Sequence, residues 1–103
     1  MSNALLQSLG LAQTNPGTYL GRGEWSTATG AGLIQPRNPT TGEVIASVEA
    51  TTEADYETVI ARAQEAYKVW RTTPAPRRGE AIRLCGEALR KHKAALGSLV
   101  ALE

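Results

Sequence analysis

The chain has 103 residues, 42% of them hydrophobic and 20% charged, with a formal net charge of +1. That length holds one domain or part of one, and the near-neutral balance excludes the strong basic field that draws nucleic acid or anionic membranes. With one cysteine, Cys85, and no apolar run of ~18 residues, an internal disulfide, a cysteine-rich metal site and a membrane-spanning segment are excluded, and the expectation is a cytoplasmic protein.

Residues 1–32 read as an extended arm that opens with a short helix. Ser2 and Asn3 can cap it, Leu5, Leu6 and Leu9 form its apolar side, and Gly10 stands where such a helix ends. From Thr14 to Gly32 the residues are mostly Gly, Thr, Ser and Asn, a loop composition with one strand expected over 24–29.

Residues 33–50 read as a β-hairpin. Leu33-Ile34-Gln35-Pro36-Arg37 and Val44-Ile45-Ala46-Ser47-Val48 flank the turn Asn38-Pro39-Thr40-Thr41-Gly42, where Pro39 presets φ and Gly42 can take φ > 0. Pro36 cannot donate to a ladder, which places the first strand at an edge or a bulge.

A helix is expected over 51–73, capped by Thr52 and opened by Glu53 and Asp55, which suit the positive end of its dipole. Tyr56, Val59, Ile60, Ala63, Tyr67 and Trp70 fall on one continuous apolar stripe, the surface that a core or a neighbouring helix would cover. Thr73-Pro74-Ala75-Pro76 ends it, because each proline restricts the residue before it and lacks an amide proton. A second amphipathic helix is expected over 76–103, with Ile82, Cys85, Leu89, Leu96, Leu99 and Val100 on one face. After Leu102 there is no Gly or Asn cap and no Pro breaker, so the chain reads as an unfinished piece of something larger.

Few residues suggest chemistry. Cys85 lies mid-helix on the apolar face, where a thiol behaves as a small buried hydrophobe rather than an activated nucleophile. His92 extends the same stripe and reads as a packed or rim histidine, since no second His or Cys accompanies it for a metal. Gly21-Arg22-Gly23 and Gly30-Ala31-Gly32 do not match a dinucleotide-binding fingerprint and read as loop glycines. Arg77 and Arg78, at a helix start, read as solvated or ion-paired surface groups.

The order Asn38-Pro39-Thr40-Thr41-Gly42-Glu43-Val44-Ile45-Ala46, the helix over 55–70 and Arg78-Gly79-Glu80 resembles the N-terminus of the aldehyde dehydrogenases. Leu9-Gly10-Leu11, Gly21-Arg22-Gly23-Glu24, Ala54-Asp55-Tyr56-Glu57, Pro74-Ala75-Pro76-Arg77-Arg78-Gly79-Glu80 and Leu96-Gly97-Ser98-Leu99-Val100-Ala101-Leu102-Glu103 are similar to the α-aminoadipic semialdehyde (piperideine-6-carboxylate) dehydrogenase branch. The resemblance implies an α/β fold in which residues 1–103 are an incomplete N-terminal part of the NAD-binding domain. It also implies an enzyme of lysine catabolism that oxidises an aldehyde to a carboxylate through a cysteine thiohemiacetal and hydride transfer to NAD. It further implies that the catalytic cysteine, general base, oxyanion-holding asparagine and NAD-contacting residues lie outside this segment. No catalytic, cofactor-binding or metal-binding residue is therefore assigned here, and Cys85 is not given the nucleophile's role. In some relatives the carbonyl before the Asn-Pro turn helps hold a cation, which would correspond to Arg37, and no ligand role is adopted for it. The implied partners are the rest of the dehydrogenase chain and further copies in a homo-oligomer. A rival expectation from the residues alone is a short non-catalytic protein that binds a partner through the Tyr56 to Trp70 face.

Overall fold

The computed structural model describes residues 2–103, in the order α1 (Ser2–Ser8), β1 (Thr14–Asn15), β2 (Tyr19–Gly21), β3 (Glu24–Trp25), β4 (Leu33–Ile34), β5 (Ser47–Glu49), α2 (Glu53–Trp70), α3 (Ala75–Lys91) and α4 (Lys93–Leu102). Helices and strands are mixed, as an α/β segment requires.

Helix α1 stops where its sequence says it should. Gly10 takes φ 72°, its amide donates to the Gln7 carbonyl, and the Leu11 amide donates to the Leu6 carbonyl at 2.8 Å. This paired closure satisfies carbonyls that the helix end leaves free.

The arm then crosses the hairpin. Strand β1 pairs in parallel with β5, Thr14 opposite Ser47 and Asn15 opposite Val48, while β4 pairs antiparallel on β5's other side. The Asn15 side chain closes the junction, accepting from the Ala12 amide at 2.9 Å and donating to the Ala12 carbonyl at 2.7 Å. Strand β4 is an edge, in keeping with Pro36, whose carbonyl accepts from Ile45 beyond the regular ladder. The Asn38 side chain accepts from Thr40 N–H, the Gly42 amide donates to the Asn38 carbonyl, and Gly42 has φ 75°, which completes the expected turn.

The strand expected over 24–29 is shorter, and it pairs antiparallel with β2. Only Glu24–Trp25 is extended, joined to β2 through Arg22 and Gly23, both with positive φ, in a tight hairpin that the glycine composition had suggested as loop. Tyr19 and Trp25 meet edge to face, with centroids 5.1 Å apart.

Thr52 caps α2 by accepting from the Asp55 amide at 3.2 Å. The helix expected as one piece over 76–103 is two, broken at His92, whose backbone has φ −102° and ψ 11°. The break turns α4 back onto α1, where Leu99 and Leu102 pack against a core of Leu6, Ile45 and Ala46. A straight continuation would forgo that burial. Among the described residues no helix is long and apolar enough to cross a membrane.

Candidate functional site

The best-organised junction is between the arm and the start of α2. Ser26 Oγ donates to Asp55 Oδ2 and accepts from the Ala28 amide at 3.0 Å. The Ser26 amide donates to the Thr18 carbonyl at 2.9 Å, and the Thr18 and Thr51 hydroxyls share a hydrogen bond of 2.8 Å. About two turns along, Arg62 donates to the Leu20 carbonyl at 3.0 Å and to the Glu24 carboxylate at 3.2 Å. The β2–β3 hairpin is thus held on α2 by polar contacts, beside a groove of about 410 Å³ lined by Leu20, Arg22, Val59, Arg62 and Ala63.

This docking uses a face of α2 that overlaps the apolar stripe only at its edge, through Val59 and Ala63. Asp55, Thr58, Val59 and Arg62 are half-buried, whereas Tyr56, Ile60, Ala63, Tyr67 and Trp70 are exposed. At 100° per residue the two faces lie about a quarter-turn apart. Apart from Val59, the stripe that the sequence marks for burial is exposed, Tyr67 at 59% and Trp70 at 44%, and a second, open depression of about 550 Å³ overlaps its C-terminal end, lined by Ala63, Ala66, Tyr67, Val69 and Trp70.

Helix α3 is bare in the same way. It contributes no buried residue, and Ile82, Leu84 and Leu89 are all more than half exposed. Cys85, expected within a buried face, is exposed. The periodicity marks an apolar face, but among the described residues no element covers it. His92, expected at the rim of a packed stripe, is the exposed junction between α3 and α4.

The remaining candidates fall apart from one another. Gly21, Arg22 and Gly23 form the β2–β3 turn, and Gly30 and Gly32 take positive φ in the loop before β4. Neither run stands between a strand and a helix start, so these residues do not fit a dinucleotide pyrophosphate and no hydride-transfer step is derived on them. Arg37 donates to the Gly42 carbonyl at 2.9 Å and so braces the hairpin turn. Arg77 and Arg78 are exposed in the first turn of α3 and make no ion pair among the described residues. Farther along, Arg83 holds the Glu80 carboxyl below its ordinary value, and Glu80 in turn raises Arg83. Among the described residues no cluster of three His, Cys, Asp or Glu forms a metal site.

Sequence reading singled out none of Thr18, Ser26 and Arg62. Their one signal was placement: Arg62 sits beside the apolar stripe, and Ser26 sits in a loop rich in capping residues.

The chain exposes 7759 Å², against about 5,600 Å² for a compact monomer of its mass. Its radius of gyration is 16.6 Å, where about 13 Å would be ordinary. The described residues thus form a small hydrogen-bonded α/β platform with two largely uncovered amphipathic helices.

Comparison with known proteins gives the segment its family. The model of the aldehyde dehydrogenase family matches residues 25–103. Aldehyde dehydrogenase family 7 member A1 of Pisum sativum is 47% identical over 98 residues, covering 95% of this chain and 19% of that protein. Alpha-aminoadipic semialdehyde dehydrogenase of Bos taurus is 44% identical over 101 residues, covering 97% of this chain and 18% of that protein. A putative family 7 member A1 homolog of Dictyostelium discoideum is 42% identical over 100 residues, covering 95% and 19%. The chain belongs to the aldehyde dehydrogenase family, a family of oxidoreductases. It spans about a fifth of the length of the curated relatives it matches.

Proposed function

We propose that this chain is the N-terminal part of a cytoplasmic NAD-dependent aldehyde dehydrogenase that oxidises an aldehyde to a carboxylate and works as a homo-oligomer. The substrate it points to is α-aminoadipic semialdehyde, the compound in the printed name of the Bos taurus relative. The thiol nucleophile, base and NAD site belong to the rest of that enzyme, and this segment contributes folding surface. The observation that carries the reading is the pairing of a family match over residues 25–103 with some 2,000 Å² of surface in excess of a compact monomer. Burying one large apolar side chain contributes roughly 1.5–3 kcal/mol, so Tyr67, Trp70, Ile82 and Leu89 leave several kcal/mol unrealised in the chain alone. Typical domains are stable by only ~5–15 kcal/mol.

The test is a chimera in which this chain replaces the matching stretch of the full-length Pisum sativum relative. Soluble chimera that reduces NAD with a semialdehyde substrate supports the proposal. A chimera that stays inactive, while the parent relative is active under the same conditions, overturns it.

A further inference from the structure

We draw no further inference here: the strongest candidate, the groove of about 410 Å³ between the β2–β3 hairpin and α2, is mostly apolar, has its Arg62 already bound to Leu20 and Glu24, and carries nothing because nothing in the structure shows what covers it.

Discussion

The Arg62 guanidinium donates across α2 to the Leu20 carbonyl at 3.0 Å, and the same nitrogen reaches the Glu24 carboxylate at 3.2 Å, so one side chain fixes both strands of the β2–β3 hairpin to the helix. The Arg62 side chain is 28% exposed and its Glu24 partner 58%, so the ion pair is screened and the carbonyl bond carries most of the effect. Arg62→Ala should cost about 1–2 kcal/mol locally, with Arg62→Lys intermediate because it lacks the planar fork. Amide exchange in the chimera reads this directly: the Ser26 N–H should exchange about tenfold faster or more in Arg62→Ala.

Gly17 sits where no side chain fits. A Cβ there would lie 1.9 Å from the Glu49 carbonyl oxygen and 2.9 Å from Val48 Cγ1. Gly17→Ala should therefore push the arm off β5 and destabilise by about 1–3 kcal/mol. Chemical denaturation of the chimera checks it, and an unchanged midpoint would refute the close approach.

The α3 glycines predict the opposite. A Cβ at Gly79 or Gly86 meets nothing within 4 Å. Gly79→Ala and Gly86→Ala should each favour helix by roughly 0.5–1 kcal/mol, seen as increased far-UV helicity of the 103-residue chain.

Glu80 and Arg83, three apart on α3, give a pH signature. Arg83 holds the Glu80 carboxyl below its usual value of 4.5. A carboxyl lowered in the helix contributes stability that is present above the unfolded value and lost as pH falls through the folded one. Helicity of α3 should accordingly decline on acidification below about pH 4.5. Arg83→Gln should return Glu80 to its ordinary titration, as followed by carboxylate NMR, and the effect should be small because both groups are exposed.

The fold at His92 depends on Leu6, which is 3% exposed at the centre of the small core. Leu6→Ala should cost about 2–3 kcal/mol and release α4 from α1. Spin labels at Gln7→Cys and Ser98→Cys, in a Cys85→Ala background, should report a short distance that lengthens and broadens in Leu6→Ala.

Local chemistry made much of this legible from sequence: Gly10 closing α1, the Asn38 to Gly42 turn, Thr52 capping α2, and Pro74 with Pro76 dividing the helices. Each is decided within a few residues. What was illegible is long-range. Nothing in Thr14 or Asn15 announces a parallel partner some thirty residues away, and Arg22 hides a tight hairpin by taking a positive φ usually left to Gly, Asn or Asp. The break at His92 follows from a contact between opposite ends of the chain, not from any stop residue. Periodicity located the apolar faces around Trp70 and Cys85 correctly, yet it says which side of a helix is apolar and not whether anything covers it.

On the proposed function, the rest of an aldehyde dehydrogenase completes this segment, and the reaction chemistry lies outside residues 1–103. The most direct measurement is near- and far-UV circular dichroism with thermal melting on the 103-residue chain, run beside an NAD-reduction assay with a semialdehyde. A broad, weakly cooperative transition and no NADH are expected. A sharp cooperative melt with a fixed near-UV signal, or any turnover proportional to the chain's concentration, would contradict it.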